Sequence, residues 1–350
     1  MEKSEYSFDF VALSGEGGSL EPRLIEGGHS VFRCRQSIRS IMRLARLMRD
    51  RNIRVAHIHL GAASALPLLA AVLAGVRKRV VHFRSDTVGG RRTLAKSVRL
   101  AASRAAVGMF ATDIVGVSPG SLSSGWRARW RSDPRCRVIP NGIDAGEIRE
   151  KGAKGSSLVR RDDALIRVAN VGRVDPDKNR ARAVRIWAAL AREHPASMDL
   201  VGDINEDVRA TIHEVANEVV GPYLRVVGDS SDVPSYLYAA DVLLVTSVRE
   251  GLPGVVLESL ACGTPVVSSA LPGVEWIRES VPGVTVVPLE ARDEDWAAAL
   301  VSAKFADREA IRNGFDVGPF TMDVALANFL DLWGLSNRTA LSRGGESYEN

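Results

Sequence analysis

A regular alternation of short apolar segments with helical ones is the feature that most constrains this fold. In the first half, three strand-like patterns stand before helical segments: FDFVALSG (Phe8–Gly15), RVAHIHLG (54–61) and RVVHFRSD (79–86). The clearest helix is QSIRSIMRLARLMRDRN, Gln36–Asn52. The apolar residues at helical spacing that predict its buried face are Ile38, Ile41, Met42, Leu44, Leu47 and Met48. Such alternation predicts an α/β fold with parallel sheets.

The alternation restarts after a polar stretch, Gly146–Asp163, which we predict to be a linker. Strand patterns follow in LIRVANVGRVD, MDLVGD, LRVVGD, VLLVTS and TVVPL, with helical segments between them. A length of 350 residues fits two domains. We therefore predict two Rossmann-like, doubly wound domains at 1–150 and 151–320. A C-terminal helix over 321–336 is expected to pack back toward the first domain, and 337–350 is expected to be disordered.

Composition bears on location and partners. Three separated cysteines without a CxxC pair, no long apolar run and no signal-like start predict a cytoplasmic protein. Residues 1–150 hold 25 Lys and Arg against 13 Asp and Glu, whereas the rest hold 21 against 29. The basic half predicts contact with an anionic membrane surface, peripheral to its inner face, or with a charged acceptor; no nucleic-acid partner is predicted. Arginines that merely solvate helix faces are the alternative.

The stretch REGLPGVVLESLACGTPVV, Arg249–Val267, places Glu250 and Glu258 eight residues apart around a glycine-rich loop. It follows a predicted strand, and ligands bind at the carboxyl ends of strands in open α/β sheets. The loop glycines allow close backbone approach, and the N-terminus of the next helix favours anions. A carboxylate at Glu258, inside an otherwise apolar helix, is costly unless it accepts hydrogen bonds, as from a sugar or ribose. Pairing with an arginine, or exposure, is the alternative.

The loop VGRVDPDKN places Arg173 and Lys178 five residues apart after another predicted strand. Two such cations can clamp a diphosphate through charge-assisted contacts worth about 1.5–3 kcal/mol each; ordinary surface charges are the alternative. Asp175 and Asp177 resemble a metal-binding pair, but the neighbouring cations and the lack of a third oxygen ligand disfavour one. The HxH of RVAHIHLG likewise lacks a third ligand at suitable spacing, so no metal site is predicted.

Five segments carry a resemblance to a known family: the VGRVDPDKN loop, the Arg249–Val267 stretch, RVIPNGID, LVGD and DVPSYLYAADVLLVTS. Together they resemble the retaining glycosyltransferases of the GT-B fold, family 4 (glycosyl transferases group 1). Glu250 and Glu258 match the Glu-x7-Glu element of that family, and Arg173 and Lys178 match its upstream cations. The resemblance runs from about Phe8 to Trp333 and is most specific in the second domain. It implies two Rossmann-like domains facing a cleft.

The resemblance also implies roles. Arg173 and Lys178 neutralise the diphosphate of a nucleoside-diphosphate sugar and stabilise the leaving group, and together with Glu250, which contacts the transferred sugar, they are the implied catalytic residues. Glu258 accepts hydrogen bonds from the ribose. The implied donor-binding backbone comprises Gly251, Leu252, Pro253, Gly254 and Val255, with the base near Val227 and Gly228. No metal or other cofactor is implied; the nucleotide sugar is a co-substrate.

The first domain departs from the family in two places. Alignment by eye puts Arg84 where many members carry a histidine, with His82 two residues before it on the same strand face. Both are candidates for the cleft, against a buried histidine and a surface arginine as the alternative. The chain also starts at the strand that family members usually place second, which predicts a first domain without its opening strand–loop–helix unit.

The sequence therefore predicts a retaining, metal-independent hexosyltransferase of polysaccharide biosynthesis. It would transfer a sugar from a nucleoside diphosphate to a glycan, lipid-linked or small-molecule acceptor. One alternative is a relative that binds nucleotide sugars without turnover. Another is a sugar-nucleotide epimerase, for which Asp86 is the candidate acid or base. A nicotinamide-linked oxidoreductase is disfavoured, because no GxGxxG follows a strand.

Overall fold

The computed structural model describes residues 7–18, 20–35, 37–85, 94–156, 165–216 and 223–335. Their contacts divide the chain into two compact units. The first comprises Met1–Phe83, Val88–Val115 and Arg129–Arg137, and the second Arg84–Thr87, Gly116–Ala128 and Val138–Asn350. The predicted domain boundaries stay a prediction, and the predicted disordered tail lies outside the described residues.

The first unit contains two sheets in the part of the chain described. β1 (Asp9–Ala12) and β2 (Ser30–Arg33) pair in parallel, joined by α1 (Glu21–Glu26). The second sheet has the order β3 (Val55–Ile58), β4 (Lys78–Phe83), β5 (Asp113–Gly116) and β6 (Cys136–Val138). Its β3 and β4 pair in parallel. The unit's longer helices are α2 (Ile38–Asp50), α3 (Ala65–Leu73) and α4 (Leu94–Phe110).

Helix α2 illustrates how the local sequence sets an element. Ser37 is its N-cap: its hydroxyl accepts a hydrogen bond from the Ser40 amide at 3.1 Å, and the Ser40 hydroxyl accepts one from the Ser37 amide at 2.9 Å. Ile41 and Leu44 are buried on the predicted face, together with Ala45. Met42, which we assigned to that face, is 60% exposed, because it lies beside the stripe rather than within it.

The second unit is built on a six-stranded parallel sheet in the order β12-β11-β10-β7-β8-β9. The strands are β7 (Ile166–Val171), β8 (Ala196–Val201), β9 (Leu224–Gly228), β10 (Val242–Val245), β11 (Val266–Ser269) and β12 (Val284–Val287). The chain runs outward from β7 to β9 and then returns to place β10 on the other side of β7. The strand order thus reverses between β7 and β10, which is the topological switch point of the sheet.

The described part of the second unit also contains ten α-helices. They are α5 (Pro119–Gly125), α6 (Ala145–Ser156), α7 (Arg180–Glu193), α8 (Glu206–Val215), α9 (Val233–Ala239), α10 (Gly254–Ala261), α11 (Pro272–Ser280), α12 (Asp293–Ala303), α13 (Arg308–Asp316) and α14 (Met322–Trp333). One core centres on Trp187 and Trp296, and another on Leu260 and Phe315. The predicted α/β, doubly wound architecture is confirmed. The predicted packing of the C-terminal helix toward the first domain stays a prediction.

The predicted linker is wrong over its first part, which forms α6. Asp144 accepts a hydrogen bond from the Glu147 amide at 2.9 Å and so caps the helix. Ion pairs at i,i+4 spacing, Glu147–Lys151 and Glu150–Lys154, support its exposed face. Gly152 is buried against Tyr238 of α9. The polar composition therefore marks a solvated helix face, and 157–163 lies outside the described residues.

Among the described helices, none is long and apolar enough to cross a bilayer.

Candidate active site

The candidate site lies at the carboxyl ends of β7 and β10, where the strand order of the second unit reverses. The loop carrying Arg173 and Lys178 leaves β7, and the loop carrying Glu250 leaves β10. The first loop closes in a 3-10 turn, Pro176–Lys178, and then passes through Asn179 in the left-handed region (φ 48°) before α7 begins. Adjacent parallel strands thus bring the two predicted segments to one sheet edge.

Two ion pairs join these loops. Lys178 Nζ contacts Glu250 Oε1, and Arg249 contacts Asp177. Each loop therefore contributes one cation and one carboxylate. Backbone contacts fix the same alignment, because the Val248 amide donates to the Asp177 carbonyl at 2.7 Å. The cation predicted to bind the diphosphate therefore contacts the carboxylate predicted to bind the sugar.

Further contacts orient the members of this network. Ser247 Oγ donates to Glu250 Oε1 at 3.0 Å, so the carboxylate has a second partner besides Lys178. Asp175 accepts a hydrogen bond from the Asp177 amide at 3.0 Å and caps the 3-10 turn. Of the two aspartates that resembled a metal-binding pair, Asp175 is therefore engaged within its own loop and Asp177 is paired with Arg249. Arg173 is exposed and forms no ion pair with any residue the structure describes.

Glu258 lies near the N-terminus of α10. Its Oε1 is 3.8 Å from the position that a Cβ on Gly254 would occupy, so the side chain reaches back toward the first turn of its own helix. Burial raises the pKa of this carboxyl, since desolvation disfavours its charged form. The described residues offer Glu258 no arginine partner. The carboxylate is half-buried rather than exposed, and its predicted contact with the ribose stays a prediction.

The start of α10 supplies backbone donors. Pro253 is the N-cap and no side chain caps the helix. In the described chain, the amides of Gly254 and Val255 have no acceptor, as expected for the first helical turn. Pro253 has no N–H and Leu252 packs into the core. The donors with which the predicted backbone segment can bind a phosphate are therefore concentrated at Gly254 and Val255.

Gly251 serves the packing of the loop. Its carbonyl accepts a hydrogen bond from Ser118 Oγ at 2.8 Å. A Cβ on Gly251 would lie 2.4 Å from the Arg84 carbonyl oxygen and 2.8 Å from Ser85 Cα. Backbone this close leaves no room for a side chain. Glycine at this position therefore lets the segment that follows β4 lie directly on the loop after β10.

Arg180 is a residue that the sequence reasoning missed. It is 5% exposed, and its guanidinium donates to Asn170 Oδ1 at 3.0 Å. It also donates to the carbonyls of Gly172, Val201, Gly202 and Asp203 at 2.8–3.1 Å. Desolvation lowers the pKa of Arg180 to about 10, which keeps it charged at neutral pH. The buried Arg180 guanidinium thus donates hydrogen bonds to backbone carbonyls at the ends of both β7 and β8. The only sequence signal was its place two residues after Lys178.

The other site residues predicted from the sequence are, where the structure describes them, not part of the Lys178–Glu250 ion-pair network. Gly228 ends β9 with φ 77°, and its carbonyl accepts a hydrogen bond from the Gly202 amide at 2.7 Å. Arg84 is exposed and donates to Asn141 Oδ1 at 3.0 Å.

His82 is fully buried beside His57 and His59, which agrees with the alternative of a buried histidine considered from the sequence. The expectation that the HxH lacks a third partner is therefore wrong, since His82 comes from the neighbouring strand. Asp86 lies outside the described residues.

Comparison with known proteins decides the family. A model described as Glycosyltransferase Family 4 matches residues 1–147, and one described as Glycosyl transferases group 1 matches residues 166–303. This chain is a family 4 (group 1) glycosyltransferase. The Arg173–Lys178 loop and the Glu250–Glu258 segment both fall inside the second match.

Relatives span most of the chain. It is 24% identical over 329 residues to the capsular polysaccharide biosynthesis glycosyltransferase CapH of Staphylococcus aureus, covering 91% of this chain and 89% of that one. It is 25% identical over 300 residues to the UDP-Gal:alpha-D-GlcNAc-diphosphoundecaprenol alpha-1,3-galactosyltransferase of Escherichia coli, covering 76% and 72%.

Solved structures share the GT-B fold. The Anabaena HepE structure with UDP superposes with a TM-score of 0.70 at 16% identity, covering 98% of this chain and 93% of that one. The HepE structure with UDP-glucose gives a TM-score of 0.67 at 17% identity, covering 97% and 99%. These structures establish the fold, whereas the family rests on the two family models. The roles of the individual site residues stay predictions.

Proposed function

We propose that this glycosyltransferase transfers a hexose from a nucleoside-diphosphate sugar to its acceptor with retention of configuration and without a metal ion. The observation that carries the proposal is the Lys178–Glu250 ion pair at the switch point of the sheet. The loop of Glu250 leads into α10, and the Glu258 side chain reaches back toward the first turn of that helix. These groups match the three parts of such a donor: a cation for the diphosphate, and carboxylates for the hydroxyls of the sugar and the ribose.

The proposed binding step exchanges partners within this network. The diphosphate takes Lys178 away from Glu250 and is also contacted by exposed Arg173 and by the amides of Gly254 and Val255. Glu250, still held by Ser247, then accepts hydrogen bonds from the sugar. The Glu258 carboxylate, which is poorly solvated, then accepts hydrogen bonds from the ribose hydroxyls, and these bonds offset the cost of its desolvation.

In the proposed reaction, the bond between the anomeric carbon and the diphosphate oxygen breaks as the acceptor oxygen bonds to the same face of that carbon. The acceptor proton passes to a phosphate oxygen of the leaving group. Lys178 and Arg173 stabilise the negative charge that grows on the nucleoside diphosphate, which is electrostatic catalysis without a protein base. This route uses two cations where other enzymes place a metal ion.

The activities of the relatives support the proposed substrate classes. The Escherichia coli enzyme takes UDP-galactose and a diphosphoundecaprenol-linked sugar, CapH belongs to capsular polysaccharide biosynthesis, and HepE binds UDP and UDP-glucose. We therefore propose a UDP-hexose as the first donor to test and a glycan or lipid-linked acceptor. The basic composition of residues 1–150 supports peripheral contact with an anionic membrane.

A two-stage experiment tests the proposal. Thermal shift with UDP, GDP, ADP and dTDP and their hexose derivatives identifies the donor. The transfer assay then uses that donor with lipid-linked and free glycan acceptors, and proton NMR reads the product's anomeric configuration. The proposal predicts turnover with the donor's configuration retained. An inverted product contradicts the mechanism, and binding without transfer to any acceptor favours the non-catalytic relative.

A further inference from the structure

We infer that His57, His59 and His82 form a binding site for a divalent transition-metal ion such as Zn²⁺, built wholly within the first unit. Their ligand atoms all lie within 4.8 Å of one another. None of the three histidines is among the donor-binding residues proposed above, because every member belongs to β3, β4 or the residue after β3.

The sheet brings the three side chains together. His57 pairs with Val80, and Ile58 with Val81, in the parallel ladder of β3 and β4. Side chains alternate along a strand, so His59 shares the face of His57 and His82 shares the face of Val80. All three imidazoles therefore lie on one face near the carboxyl ends of the two strands. This arrangement cannot be read from His57 and His59 alone.

The distances suit a common ion. His57 Nε2 and His82 Nδ1 are 3.1 Å apart. Two nitrogens bound to one tetrahedral Zn²⁺ at 2.0–2.1 Å are separated by about 3.3 Å. The observed separation is thus close to that of two nitrogens that share one ion, and Zn²⁺ would bind both nitrogens in their neutral, unprotonated form.

The third ring, His59, would have to change its orientation to complete the site. His57 and His59 stack with their centroids 4.3 Å apart and their planes 19° apart. Imidazole binds a metal in the plane of its ring, so His59 must rotate to direct its lone pair toward the ion. His59 is the exposed ring of the three, whereas His82 is buried and His57 is half-buried.

The loop after β3 keeps His59 close to the cluster. Gly61 adopts φ 50°, and a Cβ there would lie 3.0 Å from Phe83 Cδ1, next to His82 in sequence. Glycine thus allows the chain after His59 to turn sharply against the end of β4. The two strand ends are held together by packing that does not require the metal.

The ligand set defines the chemistry. Three neutral imidazoles suit Zn²⁺, Ni²⁺, Co²⁺ or Cu²⁺, whereas Mg²⁺ and Ca²⁺ prefer oxygen ligands. Three protein nitrogens also leave the fourth position of a tetrahedral ion without a ligand from this cluster. The site is therefore expected to bind a water molecule or another small oxygen ligand on the metal, unlike a closed structural zinc site.

The test uses the full-length, tag-free chain after treatment with a chelator and dialysis. Calorimetric titration with Zn²⁺ is expected to show one site per chain, and Co²⁺ is expected to give the visible absorption of tetrahedral coordination. Mg²⁺ is expected to give neither signal. The variant His59→Ala changes an exposed side chain and should weaken Zn²⁺ binding at least about tenfold.

Matched variants complete the design. His213→Ala removes an exposed histidine of α8 in the second unit and should leave Zn²⁺ binding unchanged. His59→Cys replaces one zinc ligand with another and should bind at least about tenfold more tightly than His59→Ala. Absence of Zn²⁺ binding in the wild type, or equal Zn²⁺ affinity in the wild type and His59→Ala, would overturn the inference. Donor binding in the same samples reports on the proposed function independently.

Discussion

Replacing Lys178 with methionine tests the ion-pair network most sharply. The variant keeps the length and most of the apolar part of the side chain and removes its charge. A charge-assisted contact between lysine and phosphate is worth about 1.5–3 kcal/mol, which corresponds to about 10- to 150-fold in the dissociation constant. We therefore expect Lys178→Met to weaken nucleoside-diphosphate binding by that factor in calorimetric titration.

Replacing Glu250, the ion-pair partner of Lys178, should not weaken nucleotide binding as Lys178→Met does. Glu250→Gln removes a negative charge beside the expected phosphate position and releases Lys178 from its ion pair. We expect nucleoside-diphosphate binding to be retained or tightened, while sugar transfer slows because Glu250 no longer accepts from the sugar as a carboxylate. The double variant should bind like Lys178→Met, since the phosphate contact is lost in both.

A matched control separates this effect from a general loss of lysine. Lys154→Met on α6 breaks an ion pair with Glu150 on an exposed helix face and should leave nucleotide binding unchanged. The reasoning is refuted if Glu250→Gln weakens nucleoside-diphosphate binding as much as Lys178→Met does. Lys178 would then serve the loop's structure through its ion pair rather than the phosphate.

Three further perturbations address other parts of the account. Burial raises the pKa of Glu258, so the folded state favours the protonated carboxyl, and the stability of the fold decreases as pH rises through the folded-state pKa. We therefore expect Glu258→Gln to raise the melting temperature at neutral pH. This gain should vanish below pH 4.5, the ordinary pKa of glutamate. Arg180→Met leaves four carbonyls without their buried donor and should lower the free energy of unfolding by about 3–5 kcal/mol in urea titration, whereas Arg209→Met on exposed α8 should change it little. Vesicles of anionic lipid should pellet the chain at low salt and release it at high salt, and failure to pellet at low salt contradicts the membrane proposal.

Local sequence predicted most of the strands and helices, because strand ends and glycine-rich loops have strong local signals, whereas the roles of the site residues stay predictions. Lys178 and Glu250 are 72 residues apart, yet both follow apolar strands, and strand ends meet at one edge of a parallel sheet. The direct ion pair between them was not predictable, since it depends on β7 and β10 being neighbours. That neighbour relation follows from the strand order, which no local pattern encodes.

Long-range pairing also explains what was missed. Arg180 reads as another surface charge in a helix rich in arginine, and only the carbonyls collected from β7 and β8 reveal its role. His57 and His59 lacked a third partner in the sequence because His82 arrives through the β3–β4 register. In α6, a polar composition suggested a linker, whereas a cap and i,i+4 ion pairs make it a helix. Each case depends on contacts beyond the local pattern.

Hydrogen–deuterium exchange with and without the nucleoside diphosphate that gives the largest thermal shift tests the central claim most directly. The account predicts that peptides covering 171–180 and 248–258 become protected together, because the diphosphate fixes both loops and gives the Gly254 and Val255 amides an acceptor. Peptides over α8 should be unchanged. Protection confined to other segments, or protection of only one of the two loops, would contradict a single shared donor site.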